Sequence, residues 1–445
     1  METIAALATA LGRSGIGVIR LSGPQSLEIA AKLTNSADLL PVPRKAVLHK
    51  LCDPETNEII DEALITFFKG PNSFTGEDIV EISGHGSPVV LRRILDACLK
   101  FDARLADPGE FTLRALANGR MDLSQAEAIR DLIDANSVAM TRQAIRQLRG
   151  EFSHQLQPLK DDLLSVIVIL ESALEFVEDD LPDVQNENIR NSLESIAAEI
   201  EKLTKTYQAG KLLREGIKVA LVGRPNVGKS SLFNALLGHD RAIVTEIPGT
   251  TRDQLRENFS INGIPISLVD TAGLRETLDT VESIGVERAK RAMADADLVV
   301  VLLDSAAELQ KEDKEILEET KDLRRLFAFN KIDISNGASD IPPEIRSAID
   351  PSNPAFIKIS AKTGEGLDLL EDAIVKPFSP EDIDNAGFLV SDARHQDLLL
   401  RARDEIRSSI SQLEEKMSEE IVLIGLHNAI RYLGEITVKR QRKTC

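Results

Sequence analysis

The sequence predicts a multidomain fold of mixed α/β and α class: an α+β domain, then a helical bundle into which an α/β domain is inserted. The chain has 445 residues, more than one ordinary domain holds. Aromatic residues make up 4% of the chain and Trp is missing, whereas Ala, Leu and Glu are plentiful, which disfavours an all-β fold. The spacing of apolar residues changes twice along the chain, and these changes suggest domain boundaries.

The first 118 residues combine short apolar runs with turns. Runs at 16–21, 63–68 and 79–82 predict strands, and turns rich in Gly and Pro separate them. The spacing over 89–100 predicts a helix. Residues 1–118 are therefore interpreted as a compact α+β domain.

Residues 119–215 carry the three- and four-residue apolar spacing of amphipathic helices. Three long helices are predicted, over 124–150, 156–177 and 186–213, and Ser124 with Glu127 has the spacing of a capping box at the first. Helical spacing returns at 392–416 and 419–433. Residues 378–445 are therefore predicted to complete the bundle that 119–215 begins.

Residues 216–377 alternate apolar runs with helical segments. This alternation predicts a mostly parallel, doubly wound sheet inserted between the two parts of the bundle. The predicted strands are 218–222, 266–269, 298–303, 326–330 and 355–359.

A phosphate-binding loop follows the first of these strands. Residues 223–230 read Gly-Arg-Pro-Asn-Val-Gly-Lys-Ser and fit GxxxxGK[ST] between a strand and a helix, the context that this motif requires. Its glycines allow backbone amides to surround phosphates at a helix N-terminus. Lys229 is expected to reach the β- and γ-phosphates, and the Ser230 hydroxyl to bind Mg²⁺.

Three further motifs follow strands and narrow the nucleotide to GTP. Asp270-Thr-Ala-Gly273 is expected near Mg²⁺ and the γ-phosphate, and Ser360-Ala361-Lys362 at the base. In Asn330-Lys331-Ile-Asp333 the final carboxylate can accept from N1 and the 2-amino group of guanine, a pair of donors that adenine lacks. Thr251 is the predicted second Mg²⁺ ligand. The nucleotide contacts that these motifs predict are Asn226, Val227, Gly228, Lys229, Ser230, Ser231, Gly249, Thr250, Thr251, Asp270, Thr271, Ala272, Gly273, Asn330, Lys331, Asp333, Ser360, Ala361 and Lys362.

The four motifs occur in the order of a Ras-like P-loop GTPase domain, with one departure. Leu274 stands after Gly273, where Ras carries a Gln that orients the attacking water. Glu282 is a candidate for that task, although the residues alone favour a solvated carboxylate at the start of a helix.

Taken together, the motifs resemble the bacterial tRNA-modification GTPase family MnmE (also called TrmE). The resemblance spans residues 1 to about 437. It is carried by the phosphate loop, by Gly-Thr-Thr-Arg-Asp at 249–253, by Asp-Thr-Ala-Gly-Leu-Arg at 270–275, and by stretches at 3–10, 15–20, 74–78, 84–86, 108–112, 121–128 and 433–437.

The resemblance implies an N-terminal domain that dimerises and binds a tetrahydrofolate derivative, in the 5-formyl or methylene form, at Arg20, Glu81 and Arg120. Residues alone would favour surface salt bridges at these positions, and Arg120 stands where the family often has Lys. The resemblance also implies GTP-binding domains that pair in a potassium-dependent manner. Their K⁺ ligands would be Asn226, Thr245, Ile247 and Thr250, and Glu282 would be catalytic by positioning water. The resemblance also extends the predicted GTP contacts to Thr245, Glu246, Ile247 and Pro248.

Family members work in the cytoplasm with a flavin-containing partner, MnmG, and together they add a carboxymethylaminomethyl group to the wobble uridine of certain tRNAs. A cytoplasmic location also agrees with the three widely spaced cysteines and with a start that lacks the basic segment of a secretion signal. The net charge of -19 disfavours nucleic-acid binding over the whole surface, and is consistent with a partner that supplies much of the tRNA contact.

The chain departs from the family pattern after Thr437. The family continues with a helix and Cys-x-Gly-Lys, whereas residues 438–445 read Val-Lys-Arg-Gln-Arg-Lys-Thr-Cys. One alternative is therefore a working GTPase impaired in tRNA modification.

Three other classes of protein share some of these features. A folate-binding scaffold switched by GTP stays open. A ribosome-assembly GTPase is disfavoured because the flanking regions do not look like an RNA-binding module. A dinucleotide enzyme is disfavoured because Gly15 and Gly17 are followed by Arg20 where a third Gly belongs.

Overall fold

The computed structural model describes residues 2–36, 42–175, 183–239, 256–270, 293–334, 356–378 and 387–438. The chain divides into two compact units, one made of Met1–Glu127 with Thr437–Cys445 and the other of Ala128–Ile436. Within the described residues, no helix has the length and apolar character needed to cross a membrane.

The first unit is built on a six-stranded sheet in the order β3-β4-β5-β2-β1-β6, antiparallel except for the parallel pair β1–β6. Its strands are β1 (Ile4–Leu7), β2 (Ile16–Ser22), β3 (Ala46–Cys52), β4 (Ile59–Phe68), β5 (Ile79–His85) and β6 (Arg104–Leu105). Its helices are α1 (Ser26–Leu33), α2 (Pro88–Lys100) and α3 (Glu110–Ala117), and α4 (Leu123–Ile133) contains the boundary between the units.

Buried and exposed side chains alternate along the strands of this sheet, so its two faces differ in burial. Ile19, Leu21, Ile65 and Ile82 are fully buried in one core with side chains of α1 and α2. Because side chains alternate along a strand, the residues between them lie on the other face. Leu48 and Leu64, which are cross-strand partners, are 60% and 44% exposed there.

The second unit contains a helical bundle assembled from both ends of its chain. The helices are α5 (Val138–Leu148), α6 (Glu151–Glu175), α7 (Asp183–Lys205), α8 (Tyr207–Glu215), α12 (Ala393–Glu414) and α13 (Glu419–Ile436). One buried core joins Leu163 of α6 and Leu193 of α7 to Leu399 of α12 and Leu433 of α13. Residues before and after the inserted sheet therefore share one core.

Two predicted helices are broken in the structure. The helix predicted over 124–150 is divided into α4 and α5, because Ser137 caps α5 by accepting from the Met140 amide at 3.2 Å. The helix predicted over 186–213 is divided at Thr206, whose hydroxyl accepts from the Val390 amide at 3.0 Å. The predicted capping box is also displaced, since the reciprocal bonds join Asp122 and Gln125 rather than Ser124 and Glu127.

The inserted sheet has the order β12-β11-β10-β7-β9-β8, and every pair is parallel except β8–β9. Its strands are β7 (Ile217–Val222), β8 (Arg256–Ile261), β9 (Ile264–Asp270), β10 (Leu298–Asp304), β11 (Arg325–Asn330) and β12 (Phe356–Lys358), and its helices are α9 (Lys229–His239), α10 (Lys311–Glu319) and α11 (Leu367–Val375). The five predicted strands are confirmed with small shifts, whereas β8 was missed. Both faces of β10 are buried. Because five of the strands run parallel, their carboxyl ends meet at one edge of the sheet.

Candidate nucleotide-binding site

The loop between β7 and α9 has the backbone that phosphate binding requires. Asn226 and Gly228 adopt positive φ values of 60° and 104°. A Cβ added at Gly228 would lie 2.2 Å from Asn330 Nδ2, so both the conformation and the space require glycine. The Lys229 ammonium is held inside the loop, where it donates to the carbonyls of Gly223 and Arg224 at 2.8 Å each.

Asn330 connects this loop to the segment that follows β12. Its Nδ2 donates to the Val227 carbonyl at 2.9 Å, and its Oδ1 accepts from the Ala361 amide at 2.9 Å. The residue is only 3% exposed. Both ends of the amide are therefore satisfied by backbone groups from two segments far apart in sequence.

Asp333 lies beside Ser360 at the same edge. The Ser360 hydroxyl donates to Asp333 Oδ1 at 2.8 Å and accepts from the Thr363 amide at 3.2 Å. Asp333 is exposed, so acceptor positions on its carboxylate remain accessible. An orientated, accessible carboxylate is what recognition of two neighbouring guanine N–H donors needs.

Some predicted contacts lie together and others lie outside the described residues. The structure brings together 226–231, Asn330, Lys331, Asp333 and 360–362 at the carboxyl edge of the sheet. Ser230 is exposed in the first turn of α9, where its hydroxyl is accessible to a cation. Outside the described residues lie Thr245, Glu246, Ile247, Pro248, Gly249, Thr250, Thr251, Thr271, Ala272, Gly273 and Glu282, and of Asp270 only the backbone, as the last residue of β9, is described.

Two charged residues at this edge were not predicted. Asp304 ends β10, and its Oδ2 accepts from Lys331 Nζ at 2.7 Å and lies 3.4 Å from Arg224 Nη2. Asp313 of α10 lies 3.3 Å from Arg224 Nε. For Asp304 the available signal was a carboxylate at the end of an apolar strand, the same pattern that marked Asp270.

In the first unit, Arg20 and Glu81 are cross-strand partners on β2 and β5. Arg20 Nη2 lies 2.6 Å from Glu81 Oε1, and the guanidinium lies 5.8 Å and 5.9 Å from the ring centres of Phe74 and Phe111. Arg120 is exposed and lies next to Gly76, where an added Cβ would be 3.3 Å from Arg120 Cγ. In the turn at 74–76, Phe74 thus lies close to Arg20, and Gly76 lies close to Arg120.

A buried ion cluster fixes that turn, and sequence reasoning missed it. Arg114, 7% exposed, donates to Glu77 Oε2 at 2.9 Å and to Glu110 Oε1 at 3.0 Å. Burial acts to raise the pKa of Glu110, but hydrogen bonds from Arg104, the Asp107 amide and Arg114 outweigh it and lower the pKa to about 2.

The parallel sheet, the glycine-dependent loop at its edge and the Asn330 bridge define the class of P-loop nucleotide-binding domains. Comparison with known proteins identifies the family within that class. The family model described as the MnmE helical domain matches residues 123–444, and that of the GTP-binding protein TrmE N-terminus matches residues 3–120.

Curated relatives agree over nearly the whole chain. The tRNA modification GTPase MnmE of Aquifex aeolicus is 41% identical over 437 residues, which cover 98% of this chain and 95% of the relative. The protein of the same name from Koribacter versatilis is 42% identical over 441 residues, with the same coverage. The chain belongs to the MnmE family of tRNA modification GTPases, and membership of a GTPase family implies that it binds GTP and Mg²⁺.

Solved structures with partial similarity were also found. The G domain of the T. maritima FeoB iron transporter is 30% identical, with 36% of this chain and 97% of that chain covered and a TM-score of 0.27. Aquifex aeolicus Era bound to GDP and aluminium fluoride is 29% identical, with 42% and 66% covered and a TM-score of 0.30.

Proposed function

We propose that this chain is a GTP hydrolase of tRNA modification, and that its nucleotide occupies the carboxyl edge of the inserted sheet. The observation that carries the proposal is the Asn330 bridge, since it fixes the phosphate loop and the 360–362 segment relative to each other. Phosphates would be held by the amides of 226–231 and by Lys229. Guanine would be held by Asp333, with Ala361 and Lys362 beside it.

The Mg²⁺ ligands are proposed to be the hydroxyls of Ser230 and Thr251. When bound, the cation neutralises charge that develops on the transferred phosphoryl group. Glu282 is proposed to position the attacking water, because Leu274 offers no polar group for that task. A potassium ion held by Asn226, Thr245, Ile247 and Thr250 would add a second positive charge, and the left-handed backbone of Asn226 is the part of this site that is described.

The first unit is proposed to bind a tetrahydrofolate derivative, as its 5-formyl or methylene form. Glu81 can accept from pterin N–H groups, Arg20 and Arg120 can pair with a carboxylate, and Phe74 and Phe111 offer rings for stacking. The position of the 74–76 turn close to both arginines supports one site rather than separate surface ion pairs.

At the level of the whole protein, we propose a cytoplasmic homodimer that works with an MnmG-type flavoprotein in a heterotetramer. Together they would add a carboxymethylaminomethyl group to the wobble uridine of certain tRNAs. We propose domain bounds of 1–118, 119–215, 216–377 and 378–445. The high identity to proteins named tRNA modification GTPase MnmE supports this proposal over the two alternatives, an impaired modifying enzyme and a folate-binding scaffold.

The test is nucleoside mass spectrometry of tRNA from a strain that lacks its own MnmE and expresses this chain. The modified wobble uridine is expected to return with the wild type, and to stay absent with Lys229→Ala, which removes the ammonium from the phosphate loop. Lys311→Ala is the matched control, because Lys311 is 89% exposed and lies 3.6 Å from Glu315 on the surface of α10.

Purified protein separates the alternatives. Hydrolysis of GTP without modified uridine would favour the impaired enzyme, and stoichiometric folate binding without any effect on tRNA nucleosides would favour the scaffold. If the wild type hydrolyses no GTP in potassium buffer, the proposal is wrong. A comparison of potassium with sodium tests the proposed K⁺ site.

A further inference from the structure

Asp304 occupies the central position at the carboxyl edge of the inserted sheet. It is the last residue of β10, the strand between β7, which leads into the phosphate loop, and β11, which leads into the guanine motif. Asp304 and Asn330 are register partners on β10 and β11. The strand order therefore places one carboxylate next to both motifs.

The Asp304 side chain contacts a cation from each motif with the same oxygen. Oδ2 accepts from Lys331 Nζ at 2.7 Å and lies 3.4 Å from Arg224 Nη2, while Oδ1 accepts from the Ala306 amide at 3.0 Å. Arg224 is the second residue of the phosphate loop, and Lys331 is the second residue of the guanine motif. The carboxylate is fixed by the backbone on one side and faces two functional segments on the other.

The contact between Asp304 and Arg224 is largely shielded from solvent. The side chains of Asp304 and Arg224 are 10% and 15% exposed, so water competes little for their contact. Asp313 completes a set of two cations and two carboxylates. Burial acts to raise the pKa of Asp304, but the Lys331 hydrogen bond and the Ala306 amide outweigh it and lower the pKa, so the group is ionised at neutral pH.

We propose that Asp304 is a positioning residue that holds the phosphate loop and the guanine motif in register and thereby sets the affinity for guanine nucleotides. The inference rests on the proposed function, since it concerns the same nucleotide site. Asp304 acts through Arg224 and Lys331. Loss of its negative charge alone should raise the affinity for GDP, whereas loss of its positioning contacts should lower it. The direction of the change in affinity therefore tests the proposal.

The experiment measures GDP affinity by titration calorimetry for the wild type, Asp304→Asn and Asp304→Glu. Loss of the negative charge leaves the site more positive, so a purely electrostatic role predicts that Asp304→Asn binds GDP more tightly and that Asp304→Glu is unchanged. Positioning predicts that both variants bind GDP about tenfold more weakly, because the charge-assisted bonds are lost in one and displaced in the other. Asp372→Asn is the control, because Asp372 is exposed and accepts from Asn262 within the same unit.

Steady-state kinetics and a double-mutant cycle give the second readout. We expect the KM for GTP to rise while kcat changes less than about twofold, since uniform binding is lost. Asp304→Asn should weaken GDP binding less once Lys331 is replaced by Met, because only the contact with Arg224 then remains to be lost. If Asp304→Asn does not fold, Asp304→Glu, which keeps the charge, decides the question.

Each failure points to a different conclusion. Wild-type protein that binds no GDP would remove the proposed function itself. Wild-type protein that binds GDP, with either variant equal or tighter, would overturn only the role of Asp304. Additive losses in the cycle would also overturn that role, since they would mean that Asp304 does not act through Lys331.

Discussion

The nucleotide site and the Arg20–Glu81 site are held together by different kinds of bond. At the nucleotide site, buried Asn330 bonds to backbone groups of two other segments, and buried Lys229 bonds to backbone carbonyls of its own loop. At the Arg20–Glu81 site, two side chains on neighbouring strands bond to each other and stay 31% and 25% exposed. The first arrangement is fixed by the backbone, and the second by one ion pair.

This difference determines what each site tolerates. A backbone-anchored site depends on φ angles and on the space between segments, so a single methyl group at the wrong glycine disturbs it. A partly exposed ion pair contributes little to the free energy of folding, and either residue can bind a ligand in place of its partner at low cost. The nucleotide site should therefore be the more sensitive of the two to substitutions that change the backbone.

The largest effect is expected for base specificity at Asp333. Asp333→Asn loses the carboxylate that is proposed to accept from guanine N1 and the 2-amino group, so GTP affinity should fall by on the order of a thousandfold. The new amide can donate to the 2-oxo group of xanthine, so XTP should be hydrolysed instead. Turnover of GTP and XTP by the variant checks this, with Asp372→Asn as the control. A variant that kept GTP would place the base elsewhere.

The next effect tests the backbone at Gly228. Gly228→Ala forces a side chain to φ 104° and within 2.2 Å of Asn330 Nδ2, at a cost of about 1–3 kcal/mol, or roughly tenfold to a hundredfold in GDP affinity. Gly238→Ala is the matched control, because an added Cβ meets nothing within 4 Å in α9 and should stabilise the helix by about 0.5–1 kcal/mol. Equal GDP affinity in both variants would contradict a backbone-fixed site.

A smaller effect is expected at the Arg20–Glu81 site. Glu81→Gln should weaken binding of 5-formyltetrahydrofolate about tenfold, as one charge-assisted bond is lost, while stability changes by no more than about 1 kcal/mol. Calorimetry with the folate and thermal unfolding measure the two quantities. Glu62→Gln on the neighbouring strand β4, whose side chain is 53% exposed, is the control. Unchanged folate binding would leave Glu81 as an ordinary surface partner of Arg20.

The smallest effect is expected for the pH dependence of stability at Glu110. Because the pKa of Glu110 is lowered to about 2 in the folded state, its stabilisation is present above the ordinary pKa of 4.5 and is lost as the pH falls towards 2. Glu110→Gln should therefore be less stable than the wild type at pH 7 and pH 5, and this difference should shrink below about pH 4.5. Denaturant unfolding of both proteins at several pH values measures it. A difference that is constant over this range would mean that the Glu110 charge is not involved.

The sequence predicted the features that depend on neighbouring residues. The inserted parallel sheet followed from its alternation of apolar runs, and the phosphate loop from eight contiguous residues, because a short segment with its glycines specifies its own backbone. The strand β8 was missed, as were the breaks at Ser137 and Thr206. A capping hydroxyl and a bond from the distant Val390 decide those breaks, and neither changes the local apolar spacing.

By itself the sequence therefore determined the class of the inserted domain, and it predicts which motifs contain the nucleotide-binding residues. Only the tertiary structure decided that Asn330 bridges the phosphate loop and the 360–362 segment, that Asp304 faces Arg224 and Lys331, and that Arg114 fixes the turn beside Arg20. The physical reason is that such contacts join residues dozens of positions apart. Their partners are chosen by strand order and register, which hydrophobic packing of the whole sheet sets.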